Sequence, residues 1–423
     1  MSDKPAIEGG SPLRTEPFPP WPYFQPEIIE AAMEPLKSGR VNYWTGELGM
    51  KFEQAFATWA GASYGISTTN GTSALHVALV GAGVGPGDEV ITTSYSFIAS
   101  CFCILQANAI PVFADVEPNG HTISPASIEE KISSRTKAII AVHLYGCMCD
   151  MDPIMALADK YNLKVIEDCA QAHGGQYRDK KAGTIGHFGA FSFCQSKHFT
   201  TGGEGGCVIT DDEDAAWIMR SFRDHGYDVR ERLRLLELEA KLPYIHNSIG
   251  FNYRMTEMQS AIGLKCLELF DTWNLPNRKR NAKILDEALK DEPWILSLPI
   301  NDEVRQNAYW LYPIVLDTDK ISIGGKQFYE ALTAEGVPAG PVLWPQCYKE
   351  RVFQEHNGYG RLKYPFRDPA ARPEAVEYRS VFCPNAAEVE PKVFFVPTHP
   401  TYEEKDMEDL AAAILKVGRY YAT

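Results

Sequence analysis

The stretch FSFCQSKHFTTGGEGGCVIT, Phe191–Thr210, is an apolar run, one lysine, a burst of threonine and glycine, and a second apolar run. Glycines let a backbone bend sharply. The two apolar runs therefore read as strands joined through the segment that carries Lys197. A lysine there is either a surface charge or a buried amine that holds a cofactor. The rest of the chain decides between the two.

Outward from this stretch, helix and strand patterns alternate from about residue 51 to 265. Strands read at EVITTSY (89–95), IPVFADV (110–116), TKAIIAVHLYG (136–146), LKVIED (163–168), GAFSF (189–193) and GGCVIT (205–210). Helices read over Lys51–Ala60, Thr72–Ala82, Phe97–Ala107, Ser127–Ile132 and Met151–Tyr161. Strands this apolar, separated by helices, predict an α/β fold with a mainly parallel sheet covered on both faces. Ligands of such sheets sit at the carboxyl ends of the strands. Near residue 270 the texture changes to a long helix (Asp271–Leu289), a strand (YWLYPIVL, 309–316) and a helix (Lys326–Glu335). An irregular section rich in proline and aromatics follows at about 338–395, then a closing helix, Glu403–Tyr420. The expected division is an arm and helix at 1–45, a large domain at 46–270 and a smaller α+β domain at 271–423. In the arm, Trp21, Tyr23 and Phe24 are expected to pack on the body or on a second subunit. The charged run RERLRLLELEAKL (230–242) reads as a solvated helix face or a loop.

The 423 residues are 45% hydrophobic and 23% charged, as in a soluble globular protein. A net charge of −14 argues against nucleic acid or anionic membrane as partners. No apolar run approaches the roughly 18 residues of a membrane span, and the N-terminus lacks a signal-peptide core. The ten cysteines lie in apolar segments with no CxxC pair, so they read as reduced, buried thiols of a cytoplasmic protein.

Three further features carry chemistry. In STTNGTSALHVAL (67–79), Gly71 and Thr72 open a helix, where N–H groups and the helix dipole suit an anion such as phosphate; ordinary capping by Asn70 or Thr72 is the alternative. In LKVIEDCAQAHG (163–174), Glu167 and Asp168 end a buried strand, where a carboxylate needs a partner. A metal or a protonated heterocyclic nitrogen would serve, and no carboxylate or histidine cluster of metal spacing stands nearby in the sequence. Gln171 is within reach of a ring substituent, and His173 reads as structural. An anion-binding helix start, a strand-end aspartate and a post-strand lysine form the set that pyridoxal 5′-phosphate needs. The lysine forms the Schiff base, the aspartate keeps the pyridine nitrogen protonated, and N–H and hydroxyl groups hold the phosphate.

With these segments, and with GDEVITTSYSFIAS, VHLYG, GFNYRMTEMQSAIGL (250–264) and VPTHPTYEEKDMEDL (396–410), the chain resembles the vitamin B6-dependent sugar and aminocyclitol aminotransferases (DegT/StrS type) along nearly its whole length. The resemblance implies a fold-type-I transferase in which Lys197 bears the cofactor and carries the proton. It implies Asp168 at the pyridine nitrogen, Gln171 at the 3′-oxygen and Phe97 stacked on the ring. Gly71, Thr72 and Ser192 would bind the phosphate. Asn252 would reach the phosphate of a neighbouring subunit, which implies a homodimer with shared active sites. Tyr253 or Arg254 would hold the donor carboxylate.

The implied reaction moves an amino group from L-glutamate or L-glutamine to a keto-sugar or keto-cyclitol, for an antibiotic or a surface polysaccharide. Related deoxysugar dehydratases carry histidine in place of the lysine, so Lys197 favours transamination over a dehydratase or lyase. A non-catalytic, cofactor-binding regulatory protein is the reading from another class. The opening AIEGGSPLRTEPFPPWP resembles the cyclitol branch more than the nucleotide-sugar branch. The segment 340–366 is expected to shape the acceptor pocket.

Overall fold

The computed structural model describes residues 4–237, 246–342 and 344–423. Its strands are β1 (Tyr64–Thr68), β2 (Glu89–Thr93), β3 (Ile110–Ala114), β4 (Thr136–Val142), β5 (Lys164–Asp168), β6 (Gln176–Tyr177), β7 (Lys180–Lys181), β8 (Phe188–Ser192) and β9 (Gly206–Thr210). Then come β10 (Ile295–Ser297), β11 (Arg305–Gln306), β12 (Leu311–Leu316), β13 (Gly340–Pro341) and β14 (Val393–Pro397).

The main sheet has seven strands in the order β1-β9-β8-β5-β4-β2-β3. Neighbours from β8 to β3 pair in parallel, and β9 runs antiparallel to both β8 and β1. Strand side chains alternate between two cores. Val90, Ile140, Ile166 and Val208 face the helices Gly71–Gly81, Ala99–Gln106 and Glu213–Arg223. Ile91, Ile139, Val165 and Ile209 face Leu48–Ala60 and Met151–Tyr161. Burial on both faces is why these strands read as continuous apolar runs.

A second sheet, β10-β12-β14-β13, is covered by the helices Leu275–Leu289, Gly325–Ala334 and Glu404–Tyr421 around a third core. The irregular section packs elsewhere: Tyr348, Phe353, Phe366 and Tyr378 join the first core against Phe113. Its Arg372 grips the buried Glu89 through two hydrogen bonds of 2.6 and 2.8 Å.

The structure departs from the sequence reading in a few places. The strands β1 and β14 were not expected, nor were the two- and three-residue strands β6, β7, β10, β11 and β13; β1, YGIST, has glycine and serine where an apolar run would show, and β14 lies at the edge of a proline-rich section. The strand expected through Gly146 stops at Val142, where the chain turns with Tyr145 at φ 60°. The helix expected from Asp271 opens with a wide π turn, Phe270–Asn274, before Leu275–Leu289. In the charged run, Val229–Glu237 is helical and the remainder lies outside the described residues. The arm packs on the body through Trp21, whose ring stacks on His399 with centroids 5.6 Å apart. Phe24 packs against the second core, and Tyr23 stays 47% exposed. No helix among the described residues is long and apolar enough to cross a membrane.

Candidate active site

The carboxyl ends of β2, β5 and β8 and the start of Gly71–Gly81 surround a cavity of about 630 Å³. The structure brings Gly71, Thr72, Phe97, Asp168, Gln171, Ser192, Lys197 and Tyr253 to its wall.

Capping by Asn70, one of the two rival readings, is present at the helix start. The Asn70 side chain accepts the Ser73 N–H at 2.8 Å, and Ser73 Oγ accepts the Asn70 N–H at 3.1 Å, a capping box. This leaves the Gly71 and Thr72 N–H groups outside the helix ladder, at the cavity wall. Gly71 is needed for closeness: a Cβ there would lie 2.6 Å from Ser192 Cβ. Serine 192, at the end of β8, therefore borders the same small space.

Asp168 ends β5 in a buried setting. Its carboxylate accepts the Ser100 hydroxyl at 2.8 Å and the Ala170 N–H at 3.2 Å. Burial raises its pKa, with Ser100, the Ala170 N–H and the Lys197 charge pulling the other way. Gln171 is oriented from outside the cavity, its Oε1 accepting the Tyr145 N–H at 2.7 Å.

Lys197 lies in the turn between β8 and β9, where Gly203, at φ 116°, permits the bend. Its Nζ sits 4.0 Å from the centre of the Trp310 ring and has no ion-pair partner among the described residues. Burial lowers this amine to about 8, against the raising influence of Cys194 and Asp168. The neighbouring His198 is turned away, hydrogen-bonded through Nε2 to the Ala308 carbonyl at 2.9 Å.

Phe97 and Trp344 form the outer wall, with ring centroids 5.6 Å apart. The Tyr253 hydroxyl lies 3.4 Å from His76 Nδ1. Two residues stand apart from this cavity. Arg254 is paired with the fully buried Asp224, which also accepts the Trp44 indole N–H at 2.5 Å. Asn252 is exposed on the segment that bridges to Asp224.

The sequence reading missed Ser100, Trp310 and Trp344 in the cavity wall. Ser100 sits in the first helical turn after SYSF, a place where its role was accessible; the two tryptophans come from distant segments with no motif. The reading also found no metal-spaced cluster near Glu167. The fold adds His143 from the neighbouring strand end, so ligand atoms of His143, Glu167 and Cys169 lie within 4.8 Å of one another. Glu167 is nevertheless fully engaged. It accepts His143 Nε2 at 2.9 Å and the N–H groups of Gly183, Ile185 and Gly186 at 2.9, 2.8 and 2.7 Å.

The cavity fits pyridoxal phosphate on this chain's own features. It joins a buried amine with no ion-pair partner among the described residues, a buried carboxylate on the same wall, and a cradle of N–H groups that a Cβ at position 71 would fill.

Residues 22–374 match the model of the DegT/DnrJ/EryC1/StrS aminotransferase family. The chain is 34% identical to the L-glutamine:2-deoxy-scyllo-inosose aminotransferase of Streptomyces paromomycinus, over 100% of this chain and 99% of that protein. It is 40% identical to the GDP-perosamine synthase of Caulobacter vibrioides, over 71% of this chain and 78% of that one. Among solved structures, an aminotransferase from Psychrobacter cryohalolentis superposes with a TM-score of 0.84 at 35% identity, covering 96% of this chain and 100% of that one.

Proposed function

The chain belongs to the DegT/DnrJ/EryC1/StrS aminotransferase family and is a pyridoxal phosphate-dependent aminotransferase, and from that premise we propose that it moves an amino group from L-glutamine or L-glutamate to a keto-cyclitol. The single observation that carries the choice of acceptor is the end-to-end match to a relative named for an inosose, 34% identical over 100% of this chain and 99% of that protein, whereas the match to the GDP-perosamine synthase spans 71% of this chain. The rings of Tyr253 and Trp344 offer a polyol ketone apolar faces at the cavity wall.

When bound, the cofactor ring supplies an electron sink at the amine-bearing carbon. Asp168 is the carboxylate proposed to keep the ring nitrogen protonated. Lys197 Nζ is the proposed carrier of the proton between donor and acceptor carbons, and an amine lowered to about 8 is neutral in a useful fraction near neutral pH. Gln171 is proposed to orient the ring's 3′-oxygen, Phe97 to stack on the ring, and Gly71, Thr72 and Ser192 to hold the phosphate.

We further propose a cytoplasmic homodimer with shared active sites. The helix Pro26–Ser38 leaves Ile29, Met33 and Leu36 on an exposed stripe, and Ile249 is 83% exposed. Asn252, exposed and away from this chain's own cavity, is the proposed contribution to the partner's phosphate.

A ketone panel tests the reading. With L-glutamine as donor, an inosose is expected to be aminated with one equivalent of 2-oxo acid formed. Amination of a nucleotide-linked keto-sugar and not of the inosose would overturn the acceptor. Loss of water from the sugar without 2-oxo acid would indicate a lyase.

A further inference from the structure

Three consecutive backbone carbonyls of the lysine turn accept side-chain hydrogen bonds from outside the main sheet. Ser196 O accepts the Trp310 indole N–H at 2.5 Å. Lys197 O accepts the Trp21 indole N–H at 3.0 Å. His198 O accepts Asn274 Nδ2 at 2.6 Å. The donors come from the N-terminal arm, the turn before Leu275–Leu289 and the entry to β12, segments far apart in the chain.

One side chain touches all three donors. Arg278 is fully buried. Its Nε donates to Asn274 Oδ1 at 2.9 Å, leaving that amide's Nδ2 aimed at His198 O. Its Nη1 donates to the carbonyls of Tyr309 and Trp310 at 3.3 and 3.5 Å. Its guanidinium carbon lies 5.1 Å from the centre of the Trp21 ring. No carboxylate pairs with it among the described residues, and Nη2 has no partner. A buried guanidinium without a counter-charge is costly, and carbonyl dipoles and an indole face offset only part of that cost.

We propose that Arg278 is a positioning residue for the reaction, the hub of a clamp in which Trp21, Asn274 and Trp310 fix the backbone of Lys197 so that its amine is held at the cavity wall. The arm and the second sheet's surroundings thereby bear directly on the lysine. Positional control of this kind matters because small displacements of a reacting group carry large rate penalties. This inference rests on Lys197 being the cofactor-bearing amine.

The test uses the full-length protein and two variants. Trp21→Phe removes one N–H and keeps a ring over Arg278; Arg278→Lys keeps the charge and loses the planar fork. The first readout needs no turnover: the pH dependence of acylation of Lys197 in cofactor-free protein, followed by peptide mass spectrometry. His173 is pushed down to about 3 by burial and by the charges of Lys197 and Arg278, and burial also depresses His198 and His399. Asp168 and Cys194 face the amine and are unchanged in both variants.

Wild type is expected to titrate near 8, and both variants nearer the ordinary lysine value, as the released amine reaches water. In the loaded enzyme, kcat is expected to fall about tenfold with donor KM little changed, the pattern of lost positioning. A lysine titration and kcat equal to wild type in Trp21→Phe, whether or not Arg278→Lys folds, would overturn the clamp. If wild type itself forms no visible complex with pyridoxal phosphate, the premise fails instead, and the two failures are distinguishable.

Discussion

Glu167 and Asp168 are adjacent carboxylates at the end of one strand, and they have opposite fates. Glu167 points to the Met151–Tyr161 side and meets four donors, three of them backbone N–H groups. Asp168 points into the cavity and meets a hydroxyl and one longer N–H. The period-2 geometry of a strand separates them, because neighbouring side chains leave on opposite faces. A buried carboxylate with its lone pairs filled holds the fold together. One left with capacity, beside a buried amine, is available to a ligand.

Four substitutions sharpen or break this contrast. Glu167→Ala strands three buried N–H groups and is expected to cost about 3–5 kcal/mol in urea unfolding, while the folded fraction keeps its specific activity. Asp168→Asn is expected to do the reverse, lowering kcat about a hundredfold or more with the unfolding midpoint nearly unchanged. If Glu167→Ala proved stable, or Asp168→Asn proved active, the assignment of roles would be wrong.

Lys197→Met tests the amine's side of the pair. A lysine lowered to about 8 binds fewer protons folded than unfolded between about 8 and its ordinary value, so it penalises the cofactor-free fold below pH 8 and the penalty shrinks as pH rises above it. The variant is therefore expected to be more stable than wild type by about 3 kcal/mol at pH 7, with the gain falling to about 1 kcal/mol at pH 10. A gain independent of pH would place its origin elsewhere. The smallest effect belongs to Ser100→Ala, which removes one hydrogen bond from Asp168 at a cost of about 1 kcal/mol in whatever the carboxylate stabilises, seen as a severalfold drop in kcat.

What could be read in the sequence follows a physical divide. The strand-end Asp168, the turn lysine and the helix start at Gly71 are local features, each written in a few adjacent residues, and order along the chain sufficed to group them. The satisfaction of Glu167 was not legible, since its donors lie in the loop Gly183–Gly186 and in His143, which only the parallel pairing of β4 with β5 brings alongside. The tryptophans at 21, 310 and 344 are likewise long-range partners. Trp21 Nε1 reaches a carbonyl at position 197, a contact with no periodicity to announce it. By the resemblance Arg254, with Tyr253, is a candidate for holding the donor carboxylate. In the fold it neutralises the buried Asp224, a partner that local sequence does not point to.

The central claim is that Lys197 bears the cofactor opposite Asp168, and an absorbance spectrum of the purified protein with pyridoxal phosphate tests it most directly. Wild type is expected to show a visible band that is lost on adding L-glutamine or L-glutamate and restored by an acceptor ketone, whereas Lys197→Ala lacks the lysine-bound band. A wild-type protein with no band in excess cofactor, or a Lys197→Ala variant with the wild-type band intact, would contradict the account.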